Sequence, residues 1–522
     1  MTKKPIFYKF SGTMKSVELT GKHLNLTIIS TFLAEQGPVS LAPGVRKQVQ
    51  AARDLVLKNI REHQVVYGIN TGFGKLAQVQ ISGDDLDTLQ LNLLRSHACG
   101  VGEPIDEELV VLMMLLKVNN LAAGYSGCSM EVVEKLLELL NKRIIPVVPR
   151  RGSVGASGDL APLSHMSLPL IGEGDVFYNG ERQASQRLVA EGIYEPVRLG
   201  PKDGLSLING TQYSTTLIAF AVLEAAKIVL LSELAVAMSV EAELATDVPF
   251  RPEIHKLRRQ KGQITTAKHL LSFLRDSEIV KSHLHCKKVQ DPYSFRCAPQ
   301  VLGVSRDALR FAEDIVENEL NAVTDNPLVF AGQGEILSAG NFHAEPLAFA
   351  GDQLCIALTE LGNISERRIA NLTDSAMSNL PAFLVTASGV NSGFMIAHVT
   401  AAALCAENRT LSNPASVQNI PTSANQEDHV SMAPNAGLKL LQVIRNLKTI
   451  VWIELLVAAQ GMDFRKPRKG GRATQRGYDR IREMVDFLSH DRVMYPDLAK
   501  ADELFSDQLF ISEISAIADQ ES

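Results

Sequence analysis

The sequence predicts a mainly α protein, a long-helix bundle with a smaller loop-rich N-terminal part, and three observations carry that prediction. Apolar residues recur at three-to-four spacing through 106–123, 131–142, 213–244, 305–320, 345–373, 394–412 and 436–461. Several of these segments are long, and since a 30-residue helix spans about 45 Å, they suit an elongated bundle better than a compact α/β sheet. Strand signals are few: only 17–29 and 175–183 read as candidates.

In chain order, the first sixteen residues carry Lys3 and Lys4 but no apolar stretch behind them, so no secretion signal is expected. Segment 17–29 is the first candidate strand. In 175–183, Asn179-Gly180 marks a hairpin turn. Segment 213–244 is the most apolar stretch, yet Glu224, Lys227, Glu233 and Glu241 recur through it, which argues for a buried core helix and against a membrane span. Asp291 reads as an N-cap with Pro292 at the first helical position, which would put Tyr293 and Arg296 on one face. In 465–482, Arg472, Arg476 and Arg480 stand one turn apart, readable as a nucleic-acid patch or as a solvated helix face or subunit contact. A soft boundary near Gly210 separates 1–210 from 211–522, without making them independent domains.

Composition narrows the function. The 522 residues, 45% of them hydrophobic, suffice for a large core. A formal net charge of −6 disfavours a general nucleic-acid binder and favours small-molecule partners. The six cysteines include no C-x-x-C pair, which suits a reducing compartment, with the cytoplasm as default.

The segment Gly152-Ser153-Val154-Gly155-Ala156-Ser157-Gly158 holds the most specific chemistry. Attack of the Gly158 amide nitrogen on the Ala156 carbonyl carbon, followed by loss of two waters, gives a methylidene-imidazolone. Glycine at 158 leaves that nitrogen unshielded, and Ser157 supplies the methylidene carbon. Taken alone, the Ala-Ser-Gly tripeptide reads more readily as a Gly-rich turn ahead of a helix, and the rest of the chain is what changes that reading. Tyr67, among closely spaced glycines in 66–74, is a candidate base, and Tyr293 with Arg296 could hold an amino-acid carboxylate, for which guanidinium is a planar match.

Read together, GSVGASGDLAPLSHMSLPL (152–170), YGINTGFG (67–74), LINGTQ (207–212), QDPYSFRCAPQ (290–300), NFHAE (341–345) and TSANQEDHVSMAP (422–434) resemble the signatures of the aromatic amino-acid ammonia-lyases. The likeness runs from about Val17 to near Gln460. It implies a fumarase/aspartase-like helical lyase architecture and a homotetramer with active sites shared between chains. It also implies a methylidene-imidazolone formed autocatalytically from Ala156, Ser157 and Gly158, with neither metal nor pyridoxal phosphate. By motif, Tyr67 removes the β-proton, Asn209 positions the amine, Tyr293 and Arg296 hold the substrate, and Gln290 and Phe342 line the site. Either the amine or the aromatic ring of the substrate meets the electrophile.

Two positions bear on substrate choice. His97 matches members that use histidine, as it does some that use tyrosine. Glu427 discriminates better: an imidazole can donate an N–H to its carboxylate, whereas a phenyl ring would leave a desolvated charge unpaired. The expected reaction is deamination of L-histidine to trans-urocanate and ammonia. A structural role for Glu427, tyrosine or phenylalanine as substrate, and a 2,3-aminomutase outcome are the alternatives. His283-Leu284-His285-Cys286 lacks a second ligand pair for zinc. Gly155-Ala156-Ser157-Gly158 is not a Gly-x-Ser-x-Gly elbow, and no phosphate-binding Gly-Lys-Ser is present.

Overall fold

The structure, a computed structural model, describes residues 16–62, 64–66, 68–72, 78–79, 81–283 and 289–520. Tyr67 lies outside the described residues, as does most of the His283-to-Cys286 segment.

Five long helices make the bundle: Gln212–Glu243, Ala298–Glu319, Glu345–Thr373, Met395–Leu411 and Ala433–Asp463. The last packs along both Gln212–Glu243 and Glu345–Thr373. Small residues permit the approach: a Cβ on Gly437 would sit 2.7 Å from the Leu217 Cβ, and one on Gly351 would sit 2.6 Å from the Ile218 Cδ1. The helix predicted over 305–320 begins earlier, at Ala298, with Pro299 in its first turn.

The acids of the Gln212–Glu243 helix find partners inside the protein. Glu224 meets Lys227 at 2.6 Å and Lys448 at 2.5 Å, and Glu233 accepts from Thr266, His269 and Arg306. Among the described residues no helix is long and apolar enough to cross a membrane. A second buried pair, Arg368 with Glu454, is completed by Ser239 and Ser365, which donate to the same carboxylate at 2.9 and 2.6 Å. Such pairs hold only because their remaining lone pairs are also satisfied.

Short helices surround one end of the bundle: Leu86–His97, Glu107–Ala122, Leu160–Ser167 and Asp203–Ile208. One apolar core runs from them into the bundle, through Leu112, Leu163, Leu231, Leu358 and Val451. The hairpin over 175–183 forms as expected, with Asp175–Tyr178 paired to Glu181–Ala184 and positive φ at Asn179 (52°) and Gly180 (78°).

The strand expected over 17–29 is corrected: only Val17–Leu19 forms a strand, paired in parallel with Val39–Leu41. Gly21 turns the chain at φ 81°. The Asn25 side chain then accepts from the Ile28 N–H at 2.8 Å, starting a helix over Leu26–Glu35. The cap at 291 is corrected too. Pro292 is the N-cap of Tyr293–Arg296, while the Asp291 carboxylate accepts from the Thr246 N–H at 2.9 Å. Within 465–482, four arginines face acids of their own chain, Arg472 with Asp276 at 3.7 Å, Arg476 with Glu513 at 2.8 Å, Arg480 with Asp507 at 3.0 Å and Arg482 with Asp463 at 2.7 Å, while Arg465 donates to the Ala242 and Ser378 carbonyls. That is a paired helix face, with the helix spanning Arg472–Met484.

Candidate functional site

Glycine geometry fixes the segment before the Leu160–Ser167 helix. Gly155 and Gly158 have φ of 67° and 73°, a region that other residues enter at a cost. A Cβ on Gly158 would collide with the Gly210 carbonyl, so the two backbones touch there. The contact is tied by Asp159 N–H donating to the Gly210 carbonyl at 2.7 Å. On the opposite side, Met432 N–H donates to the Val154 carbonyl at 2.8 Å and Ser431 Oγ to that of Gly155 at 2.9 Å. The turn is thus clamped between 209–210 and 431–432, with Ala156 buried and Ser157 half-buried.

Asp159 anchors the turn from below. It accepts from Ser214 N–H at 2.8 Å, Ser214 Oγ at 3.0 Å and Ser153 Oγ at 3.1 Å. Burial raises its carboxyl to about 6, and these hydrogen bonds limit the rise.

Above the turn opens a cavity of about 1330 Å³. Ala156, Ser157, Asn209, His97, Phe342 and Glu427 all line it. Asn209 Nδ2 donates to the Ser157 carbonyl at 3.0 Å, while its Oδ1 is buried without a partner. Ser157 Oγ donates to Glu427 Oε1, and Thr422 and Ser423 hydroxyls donate to Oε2, each at 2.7 Å. Burial alone would raise the Glu427 carboxyl; those three hydroxyls and nearby His97 outweigh it and hold the group below its ordinary range. Glu427 is therefore a carboxylate at neutral pH. His97 moves down, chiefly through burial, against the Leu93 carbonyl 2.9 Å from its Nδ1 and the Glu427 charge.

Tyr293, Arg296 and Gln290 are not among the residues lining this cavity. Tyr293 is 71% exposed, Gln290 is exposed, and the Arg296 guanidinium lies 4.5 Å from the Tyr293 ring centroid, so the expected shared face is present. Sequence reasoning passed over other wall residues: Asn326, His343, Gln426 and His429. Three of them sit inside NFHAE and TSANQEDHVSMAP, where the signal lay unread. The His343 and His429 rings stack at 5.7 Å, and with Glu345 they place one potential ligand atom each within 4.8 Å of one another. His283 bonds the Ile279 and Ala245 carbonyls through its two nitrogens at 2.9 and 3.1 Å.

The family model for aromatic amino acid lyases matches residues 24–483. The chain belongs to the aromatic amino acid lyase family. Within it, the chain is 47% identical over 500 residues to the histidine ammonia-lyase of Aliivibrio fischeri, covering 95% of this chain and 98% of the relative. The solved histidine ammonia-lyase of Trypanosoma cruzi superposes with a TM-score of 0.89 at 40% identity, covering 96% of both chains. A tyrosine aminomutase from Streptomyces globisporus superposes at 0.90 with 34% identity, covering 97% of this chain and all of that one. This chain and both of these solved structures share the mainly helical lyase fold.

Proposed function

We propose that this protein is a histidine ammonia-lyase, converting L-histidine to trans-urocanate and ammonia without oxidation. The observation that carries the reading is Glu427, an ionised carboxylate on the same cavity wall as Ala156 and Ser157. Its relatives named as histidine ammonia-lyases span nearly its whole length.

The ring-forming residues fit the methylidene-imidazolone. A side chain at 158 has no room, the turn is clamped on both sides, and Asn209 Nδ2 already holds the Ser157 carbonyl. Cyclisation joins Gly158 N to the Ala156 carbonyl carbon; one water leaves with that carbonyl oxygen and one with the Ser157 hydroxyl. Losing that hydroxyl frees Glu427 Oε1, which then accepts the imidazole N–H of the substrate. Once formed, the ring supplies an electron sink that makes ammonia a better leaving group.

The chain's own groups do the rest. Tyr67 takes the β-proton, a role assigned by its place in the YGINTGFG motif. His97 and Phe342 wall the substrate in. Arg296 grips the carboxylate with its planar fork, helped by Tyr293 and Gln290. Because these three stand away from the cavity of their own chain, they serve a neighbouring protomer in a homotetramer. Val304, Phe311, Phe349, Ile356, Ile396 and Val399 on the bundle helices, all exposed here, supply apolar surface for that assembly. The described cysteines, Cys99, Cys128, Cys297, Cys355 and Cys405, are free, in keeping with work in the cytoplasm.

Chromatography of the products from L-histidine tests the proposal. Trans-urocanate with an equal amount of ammonia is expected. A β-amino acid would make the protein an aminomutase, and turnover confined to tyrosine or phenylalanine would overturn the assignment of Glu427.

A further inference from the structure

A lysine buried behind the electrophile has no part in the chemistry above. Lys117, on the Glu107–Ala122 helix, is fully buried. Its Nζ donates to the backbone carbonyl of Asn209 at 2.7 Å and to Gln212 Oε1 at 3.3 Å. Gln212 Nε2 and Thr211 N–H both donate to Thr324 Oγ1, at 2.9 and 3.3 Å. Residues 209–212 are thereby fixed from beneath.

The first two of these residues hold one side of the ring-forming turn. Asn209 reaches the Ser157 carbonyl through its side chain, and Gly210 lies against Gly158 and accepts from Asp159 N–H. An error in the direction of the Asn209 carbonyl is passed directly to Ala156, Ser157 and Gly158. A buried ammonium is costly, and a neutral residue would serve if only filling were needed. Burial draws the Lys117 ammonium down to about 8; Asp325 opposes that fall, Lys202 adds to it, and Cys128 and Asp159 act weakly upward. Asp325 itself pairs with Lys202 at 3.0 Å, so it does not neutralise Lys117 alone.

We propose that Lys117 is the positioning residue for cofactor formation: its ammonium sets the 209–212 segment so that the turn can close into the ring. This rests on the reading of Ala156-Ser157-Gly158 as the ring precursor. Lys117 touches neither substrate nor ring atoms and acts through Asn209 and Gly210.

The test is the intact mass of purified Lys117→Met and Lys117→Arg, with circular dichroism, Tm and kcat recorded on the same samples. Wild type should be short by two waters per chain. Folded Lys117→Met should be a mixture dominated by full-mass chain, with kcat down by about 10- to 100-fold, the cost of a small misplacement. Lys117→Arg, which keeps a buried cation and its donors, should recover most of the mass deficit. Glu454→Gln breaks the buried pair with Arg368 about six turns along its helix from Ala433. It should lower Tm while leaving the deficit intact, separating loss of stability from loss of ring formation.

A folded Lys117→Met with a full two-water deficit and wild-type kcat would overturn the proposal. Should that variant fail to fold, Gln212→Ala removes only the second acceptor of the ammonium and its tie to Thr324, and ring formation as complete as in wild type would overturn it equally. A wild type of full mass would instead defeat the cofactor reading on which it rests.

Discussion

Glu427 carries the substrate argument at the scale of single residues. Its carboxylate is held low by three hydroxyls and faces the cavity that Ser157 enters. Glu427→Gln keeps the shape, removes the charge and presents an amide donor where the imidazole donates. It should lower kcat/KM for histidine by about 10²-fold or more, the loss expected when a buried polar partner is left unmatched, while Arg465→Gln, in the basic segment, should do far less. Side-by-side kinetics on histidine, tyrosine and phenylalanine check this, and unchanged histidine kinetics would remove Glu427 from the selectivity account. Tyr67→Phe keeps the ring and deletes the proton acceptor, so kcat should fall by about 10²–10⁴. Near-normal turnover would move the base elsewhere, with Tyr293 next to be tried.

Much of the site was readable because its residues lie in long motifs with a chemical purpose. Ala156, Ser157, Asn209, His97, Phe342 and Glu427, scattered in sequence, line one cavity. Lys117 was not readable. It sits within an apolar helical pattern, and the role proposed for it depends on a backbone carbonyl 92 residues later in the chain, which no local pattern encodes.

At the scale of elements, the long helices followed from periodicity, whereas the short ones at their ends depended on caps that spacing does not reveal. Asn25 converted an expected strand into a helix, and Asp291 gave its carboxylate to Thr246 instead of capping the turn after it. The C-terminal end of Gln212–Glu243 offers a test of buried charge. Glu241 accepts from Gly471 N–H at 2.7 Å, and burial raises its carboxyl to about 7, with hydrogen bonds from Ser277, Thr474 and Gly471 opposing the rise. A carboxyl raised in the folded state binds more protons there than in the unfolded chain between about pH 4.5 and 7, so its contribution to stability declines as pH climbs through that window. Glu241→Gln, which resembles the protonated acid, should match wild type in Tm near pH 5 and exceed it at pH 8, by about 3 kcal/mol in stability for a shift of this size. A Tm difference that does not change with pH would place the burden of that charge on another group.

At the scale of the whole molecule, the cavity and the Tyr293–Arg296 pair are separate features of one chain, which leads to the proposal of sites completed between protomers. Co-expression of Ser157→Ala with Arg296→Ala, each inactive alone, tests it. Random mixing should leave about a quarter of the sites with both native residues if they come from different chains of a symmetric oligomer. Recovery near that fraction is expected; no recovery in oligomers proven to be mixed would put both residues of each site on one chain.

The central claim is that ammonia loss from histidine depends on an electrophile made from Ala156, Ser157 and Gly158. The most direct measurement pairs the intact mass of wild type and Ser157→Ala with the ultraviolet rise of urocanate from L-histidine in the same preparations. Wild type short by two waters and producing urocanate, beside a full-mass Ser157→Ala that produces almost none, is the predicted result. A wild type of full mass that still makes urocanate would contradict it.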